Sequence, residues 1–260
     1  MRGNRMPRPF VPQPRDLHLL REAVVLKVFD RQQAQLCAGF TSSTRSHTRI
    51  SRLVDEGLLR SFYTASDAGG KKCLYTLTRK GAGLVGSSFS GLGRSSGSLV
   101  VGDLFIAHQL EINQIYLTLK YRSIPIPNAQ FQRWITPQAP LSTTSRIIPD
   151  GYFEFIVPNR TVCCFLEVDL GGETAKIWKS KIEAYLGFAA SGQFEEQFQH
   201  PQFRVVIATT TDRRAQSLQA LTAKYTDKLF WISTFNAIKR DGFWSSVWLR
   251  PAGDQRQSFL

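Results

Sequence analysis

Two neighbouring apolar runs carry carboxylates at fixed positions, and this pattern constrains the fold more than any other in the sequence. The first run begins with a proline followed by Asp150, and the second ends with Glu167 and Asp169. Side chains alternate faces along a strand, so Glu167 and Asp169 point the same way. If the runs pair as a hairpin through residues 158–160, Asp150 comes near them. Three carboxylates at one end of a sheet would form an oxygen-ligand site for a hard cation such as Mg²⁺ or Mn²⁺.

Positive charge is concentrated in the first third of the chain. The 260 residues, enough for two modest domains, carry a formal net charge of +13. Residues 1–85 hold 15 Lys/Arg against 6 Asp/Glu, whereas residues 101–260 hold 17 against 14. This asymmetry indicates a nucleic-acid-binding module attached to a nearly balanced second part. A membrane-surface segment would instead need a charged amphipathic helix with bulky apolar anchors, and none stands out.

Targeting signals are not apparent in the sequence. No apolar run approaches the roughly 18–20 residues that span a membrane. Residues 1–15 are rich in Arg and Pro but lack the apolar centre of a secretory signal, and we expect them to form a flexible basic arm. The four cysteines, Cys37, Cys73, Cys163 and Cys164, show no metal-ligand spacing. We interpret them as reduced and structural, in a cytoplasmic protein that is not membrane-bound.

The element order of residues 16–85 predicts a winged helix-turn-helix. Apolar spacing and capping residues indicate helices over 16–30, 31–38 and about 43–56, then strands at 60–64 and 73–77, and a short helix near 79–85. The third helix is the expected recognition helix, and the hairpin tip is the wing. The side chains expected to reach base edges and phosphates are Ser43, Thr44, Arg45, His47, Thr48, Arg49, Arg52, Lys71 and Lys72. The alternative is that these polar groups are solvated or contact another protein.

A Gly/Ser-rich segment, residues 86–98, has the composition of a linker. A helix over about 101–122 follows, and strands and helices then alternate in the order three strands, helix, strand, helix, strand. This order predicts an α/β sandwich over residues 99–260. The helix at 101–122 is apolar on more than one face, so it is either a homodimer interface or packs on the second domain.

The second domain resembles the PD-(D/E)xK nuclease core, whose motif is Pro-Asp, a spacer, an acidic residue, any residue and lysine. Pro149, Asp150 and Glu167 match, but Asp169 stands where the lysine is expected. With the winged helix in front, the chain resembles the replication-relaxation family of plasmids and integrative elements and the related C-class mobilisation relaxases. The other motifs that carry this resemblance are residues 108–113, residues 171–174 and the pair Lys181 and Tyr185.

The resemblance implies an α+β or α/β protein with an N-terminal winged helix and a restriction-endonuclease-like sandwich. It also implies catalytic roles for Asp150, Glu167, Asp169 and Lys181, with the three carboxylates as ligands of Mg²⁺ or Mn²⁺. Lys181 is the best candidate to supply the missing lysine from a neighbouring helix, since Tyr185 shares its face one turn later, and Lys176 is the second candidate. A covalent role for Tyr185 is disfavoured, because relaxases of that kind place a histidine cluster near the tyrosine, and the four His here are scattered.

Two functions stay open at this point. In the first, a plasmid or integrative element uses the protein to nick its own DNA during replication, relaxation or mobilisation. In the second, a degenerate nuclease fold serves as a non-catalytic DNA-binding scaffold or transcriptional regulator. The expected partners are double-stranded DNA at an origin or operator, a second copy of the chain, and replication or transfer proteins.

Overall fold

The computed structural model describes residues 10–65, 69–89, 102–143 and 145–260. Most of the expected basic arm, the tip of the expected wing at 66–68 and the expected linker from residue 90 onward lie outside the described residues. The chain is an α+β protein, as expected, and forms two compact units, Met1–Leu117 and Thr118–Leu260. Among the described residues, no helix is long and apolar enough to cross a membrane.

The first unit consists of helices around a three-stranded antiparallel sheet of order β1-β3-β2. Its elements are α1 (Pro14–Leu26), β1 (Val28–Asp30), α2 (Arg31–Cys37), α3 (Ser43–Asp55), β2 (Leu59–Ala65), β3 (Lys71–Leu77), α4 (Arg79–Leu84) and most of α5 (Asp103–Tyr121). Side-chain caps start three of these helices. The caps are Asp30 for α2, Ser42 for α3 and Thr78 for α4.

The expected first helix, over residues 16–30, is wrong at both ends. Gln13 is the N-cap of α1, and Asp16 lies three residues inside the helix, where its carboxylate accepts from the Gln13 N–H at 2.6 Å. The helix ends at Leu26, because its C-cap Lys27 has a positive φ of 59° that does not continue the helix. Residues 28–30 then leave the helix to pair with β3 as β1. Pairing with β3 satisfies backbone groups while burying Val28 and Phe29 completely.

The amino-terminal part of α5 packs within the first unit. The Asn113 amide donates to the carbonyls of Leu26 and Val28 at 3.1 and 2.6 Å, and the Tyr116 hydroxyl donates to Glu22 at 2.8 Å. These bonds join α5 to α1 and to the start of β1. The compact units consequently divide inside α5, between residues 117 and 118, whereas the composition of the sequence predicts a second domain that begins at residue 99.

The second unit is a five-stranded mixed sheet with helices, in strand order β4-β5-β6-β7-β8. The pairs β4–β5 and β5–β6 are antiparallel, and β6–β7 and β7–β8 are parallel. Its elements are β4 (Gln130–Ile135), β5 (Gly151–Val157), β6 (Arg160–Asp169), α6 (Ala175–Ala190), α7 (Gln193–Phe198), β7 (Arg204–Thr209), α8 (Asp212–Thr222), β8 (Phe230–Thr234) and α9 (Phe235–Asp241). The short helices α7 and α9 were not predicted from the sequence.

An aromatic core covers one face of this sheet. Tyr152 of β5 and Phe165 of β6 are cross-strand partners and are fully or almost fully buried. Their rings pack against the helices that follow β6, with Tyr185 of α6 5.7 Å from Phe165 and Phe198 of α7 4.3 Å from Tyr152. Glu167 lies on the same face of β6 as Phe165, two residues further on, so its carboxylate enters this covered layer.

Candidate carboxylate–lysine site

The β5–β6 hairpin brings Asp150 and Glu167 to the same place. Because Gly151 pairs with Leu166, Asp150 lies opposite Glu167 at the next register position. The Asp150 N–H donates to the Leu166 carbonyl at 3.0 Å, and the Asp150 carboxylate accepts from the Val168 N–H at 2.7 Å. These two bonds fix the start of β5 against β6. The expected hairpin is therefore present, and its two acidic side chains are neighbours across it.

Glu167 is almost fully buried, at 1% exposure, and both of its oxygens have donors from α6. The Lys181 Nζ is 2.8 Å from Oε2, and the Tyr185 hydroxyl donates to Oε1 at 2.6 Å. Lys181 and Tyr185 are four residues apart, so they project from one face of the helix. Lys181, the first candidate that the sequence offers for the missing motif lysine, is thus in contact with Glu167.

Glu173, which follows β6, completes the surroundings of Lys181. One Glu173 oxygen is 2.8 Å from the Lys181 Nζ. The other oxygen, Oε2, is buried, and within the described part of the chain no donor reaches it. The Lys181 ammonium also lies 4.7 Å from the centre of the Trp178 ring. The ammonium is therefore enclosed by two carboxylates and an indole.

Burial and neighbouring charge change the proton affinities of this pair. Burial raises the pKa of Glu167 to about 7, and the Asp150 charge adds to the effect while Lys181 opposes it. For Lys181, burial disfavours the ammonium, but Glu167 and Glu173 together outweigh it and raise the pKa. Near neutral pH the lysine is consequently charged. Glu167 is then close to its pKa, so it is partly protonated.

Asp169 does not join this group, contrary to the sequence expectation of a third metal ligand. Its carboxylate accepts four hydrogen bonds, from Arg214 Nε at 2.7 Å, Arg214 Nη2 at 3.2 Å, the Thr209 hydroxyl at 2.8 Å and the Gly171 N–H at 3.1 Å. Burial raises the Asp169 pKa, but the Arg214 and Thr209 hydrogen bonds outweigh it, and the net pKa is lowered. A carboxylate has about four acceptor positions, so none remains for a metal. Asp169 links β6 to α8 through Arg214.

The expected recognition helix, α3, exposes part of the predicted contact set. The side chains of Ser43, Thr44, Arg45, His47 and Thr48 are exposed. A cleft of about 640 Å³ separates α3 from the β2–β3 hairpin, and its lining residues include His47, Lys71 and Lys72. The structure thus brings the helix and the hairpin lysines to one side of the first unit.

The other basic side chains predicted to contact DNA have protein partners. Arg49 forms a two-pronged ion pair with Asp16, with its Nε 2.7 Å from Oδ1 and its Nη2 close to Oδ2. Its guanidinium joins α3 to α1, so the expectation that Arg49 contacts DNA is not supported. Arg52 pairs with Glu56 at 2.8 Å, and Lys72 pairs with Asp30 at 2.7 Å. Both of these remain partly exposed, and Lys71 is exposed.

A comparison with known families matches residues 17–200 to the replication-relaxation family. The chain belongs to the replication-relaxation family. This confirms the resemblance to that family, and membership indicates a role in the replication or relaxation of a plasmid or other element. No curated protein and no solved structure matches the chain. In this replication-relaxation protein, the matched region includes Asp150, Glu167 and Lys181, whereas Arg214 lies beyond it.

Proposed function

We propose that this replication-relaxation protein binds double-stranded DNA of a plasmid or integrative element and nicks it at the carboxylate–lysine site. Asp150, Glu167 and Lys181 act together there, with Mg²⁺ or Mn²⁺. The observation that carries the proposal is the 2.8 Å contact between the Lys181 ammonium and Glu167. It supports Lys181 as the functional replacement for the lysine that is absent from position 169.

The residues present suit a hard divalent cation. Asp150 and Glu167 offer carboxylate oxygens from neighbouring strand positions, and Mg²⁺ and Mn²⁺ prefer such ligands. The buried Glu173 Oε2 independently supports a cation at this site, because among the described residues no hydrogen-bond donor reaches it. Burying a carboxylate oxygen without a partner destabilises the folded protein unless a cation or a water molecule binds to that oxygen. A bound metal would lower the pKa of a water ligand and neutralise charge on the scissile phosphate.

The protein side chains have separable roles in this proposal. Lys181 keeps its proton, since its pKa is raised, and so presents a fixed positive charge to a phosphate entering beside Glu167. Tyr185 donates to Glu167 and fixes the direction of that carboxylate. Asp169 does not take part in the reaction and instead holds the end of β6 against α8 through Arg214.

Nicking of supercoiled plasmid tests the proposal directly. Purified protein is incubated with cognate supercoiled DNA in Mn²⁺ or in chelator, and open circles are quantified. We expect metal-dependent open circles from the wild type and a loss of about 100-fold or more in Glu167→Gln and in Lys181→Ala. The matched control is Lys179→Ala, which removes an exposed lysine of the same helix and retains activity. Full nicking by Lys181→Ala would contradict the role of this lysine.

Binding of DNA by the first unit is the second part of the proposal. The exposed polar face of α3 and the lysines of the β2–β3 hairpin resemble the recognition helix and wing of a winged helix. Because each phosphate contact releases counterions, Arg45→Ala should weaken DNA binding and reduce the magnitude of the salt slope by about 1. Arg21→Ala removes an exposed arginine from α1 and is the charge-matched control. Binding by Arg45→Ala with the wild-type salt slope would exclude this face.

A non-catalytic scaffold is the second candidate function. The observation in its favour is that both Glu167 oxygens already accept from Lys181 and Tyr185, an arrangement that a purely structural buried ion pair also has. The nicking experiment separates the two functions. If the wild type binds the plasmid tightly but leaves it supercoiled in Mn²⁺, the protein acts as a DNA-binding scaffold or regulator.

A further inference from the structure

We propose that Glu154, Cys163 and His200 bind a Zn²⁺ ion at a second site in the sheet unit. One ligand atom from each of the three side chains lies within 4.8 Å of the others. Glu154 and Cys163 are 3% and 2% exposed, and the His200 side chain is 28% exposed. The cluster is therefore a buried pair of ligands with a histidine that closes it from the surface side.

The fold brings the three residues together through two independent features. Glu154 of β5 and Cys163 of β6 are cross-strand partners, so their side chains share one face of the sheet. His200 follows α7, which ends at Gln199 in a left-handed conformation, with φ 61° and ψ 31°. The tilted packing of the Phe198 ring against Tyr152 places the end of α7 next to Glu154. His200 Nε2 lies 3.7 Å from Glu154 Oε1 as a result.

The chemistry of the donors selects the metal. A carboxylate, a thiol and an imidazole supply oxygen, sulfur and nitrogen, and zinc binds all three in tetrahedral sites. With bond lengths of about 2.0–2.3 Å, the ligand atoms of such a site lie roughly 3.5 Å apart. The present separations need only side-chain adjustments of about 1 Å to reach this value. Mg²⁺ and Ca²⁺, in contrast, prefer sites built from oxygen alone.

The groups around Glu154 suit an ionised ligand. The Tyr152 hydroxyl and the Arg133 guanidinium lie 2.6 and 2.5 Å from Glu154 Oε1. These contacts are all to Oε1, and we assign the other oxygen, Oε2, to the metal. Carboxylate and thiolate supply two negative charges against the two positive charges of Zn²⁺, and the Arg133 guanidinium leaves the site with one net positive charge. Arg133 and Tyr152 orient Glu154 as second-sphere groups often do.

The site is distinct from the carboxylate–lysine site. Glu154 is four residues from Asp150 along β5, which corresponds to about 13 Å at 3.3 Å per residue. Three protein ligands leave a fourth position for water. Through His200, the ion would tie the segment between α7 and β7 to the β5–β6 hairpin. We assign it a structural role, and this assignment does not depend on the proposed nicking activity.

Metal binding is measured on the full chain after treatment with chelator and dialysis. We expect one equivalent of zinc in the wild type, and Co²⁺ in its place should give a thiolate-to-cobalt charge-transfer absorption. Cys163→Ser should abolish that absorption, and His200→Gln and Glu154→Gln should each weaken zinc binding at least tenfold. Cys164→Ser is the matched control, because Cys164 is equally buried but faces the opposite side of β6.

Two outcomes would overturn the assignment. One is a wild type that takes up no zinc, and the other is equal zinc affinity in the wild type, Cys163→Ser and His200→Gln. Far-ultraviolet circular dichroism shows whether each variant is folded, and His200→Gln, at a partly exposed position, tests the site without disturbing the core. Lys181→Ala should bind zinc normally, which distinguishes this ion from a cation at the carboxylate–lysine site.

Discussion

At the scale of single residues, three buried carboxylates each form an ion pair with a basic side chain. Asp16, Glu167 and Asp169 are each 1% exposed, and each is paired with an Arg or Lys from another element. Burying an ionised carboxylate costs several kcal/mol unless a partner and hydrogen bonds compensate. Each of these pairs therefore fixes the relative position of two elements: α1 with α3, β6 with α6, and β6 with α8.

The Arg49–Asp16 pair predicts a change in stability rather than in DNA contact. Arg49→Ala leaves Asp16 buried without its guanidinium and should lower the free energy of unfolding by about 2–4 kcal/mol. Arg45→Ala, on the exposed face of the same helix, should change it by less than about 0.5 kcal/mol. Chemical denaturation of both variants measures the difference. Equal stability of the two variants would contradict a structural role for Arg49.

Glu167 predicts a pH-dependent stability in metal-free buffer. Its pKa rises from an ordinary value near 4.5 to about 7 on folding, because burial disfavours the charge. The folded state then binds more protons than the unfolded state between these values, so the free energy of unfolding falls as pH rises through this window. The loss should reach about 3 kcal/mol, at about 1.4 kcal/mol per unit.

Glu167→Gln cannot titrate and isolates this contribution. Wild type and variant are denatured with urea at pH 5 and pH 8 in the presence of chelator. The unfolding free energy of the wild type, relative to that of the variant, should be lower at pH 8 than at pH 5. Parallel behaviour of the two proteins at both pH values would mean that Glu167 does not change its proton affinity on folding.

At the scale of elements, close backbone approach fixes α4 in the first unit. A Cβ on Gly81 would lie 2.2 Å from the Leu58 carbonyl oxygen and 2.9 Å from the Leu77 side chain. The Thr78 hydroxyl accepts from the Gly81 N–H at 3.0 Å and donates to the Leu58 carbonyl, which draws the helix start to this position. Two residues on, Gly83 has open space around the equivalent point.

The two glycines form a matched pair of tests. Gly81→Ala forces backbone atoms apart and should destabilise the protein by about 2 kcal/mol or more. The added methyl group of Gly83→Ala contacts no other atom. This variant should raise the free energy of unfolding by about 0.5–1 kcal/mol, since alanine has a higher helix propensity than glycine. Thermal denaturation of the full chain gives both values. Similar shifts in the two variants would show that the Leu58 contact does not limit the position of α4.

At the scale of the whole molecule, α5 determines where the first unit ends. Ile106 and Leu110 pack with Val28 and Leu74, and the Asn113 amide satisfies backbone carbonyls at the end of α1. A Gly/Ser-rich composition marks residues 86–98 as the boundary in the sequence, but the packing continues beyond it. The first unit is consequently incomplete without the amino-terminal half of α5.

This boundary can be tested with two fragments of the protein. A fragment of residues 10–121 retains α5, and one of residues 10–98 lacks it. We expect the longer fragment to unfold cooperatively, and the shorter one to unfold at a lower urea concentration because Val28 and Leu74 lose apolar cover. Intrinsic fluorescence and circular dichroism follow both transitions. Equal midpoints would mean that α5 is not part of the first folding unit.

The sequence by itself determined the local elements and the hairpin. Alternating apolar residues, capping side chains and turn residues gave close bounds for α2, α3 and β2. They also gave the cross-strand relation of Asp150 to Glu167, because a hairpin fixes register over a few residues. Lys181 could also be predicted from local spacing, since helical periodicity places it on one face with Tyr185.

Only the tertiary structure decided which charged groups are free to act. Arg49 reads as a DNA contact and Asp169 as a metal ligand until Asp16 and Arg214 come within hydrogen-bond distance of them. The strand β1 likewise depends on pairing with β3, and the Glu154 cluster depends on His200, 46 positions along the chain. Such partners are separated by tens of residues, and local periodicity carries no information about them. The physical reason is that long-range packing decides which charged groups are buried. A buried charge is stable only when an opposite charge or hydrogen bonds compensate it.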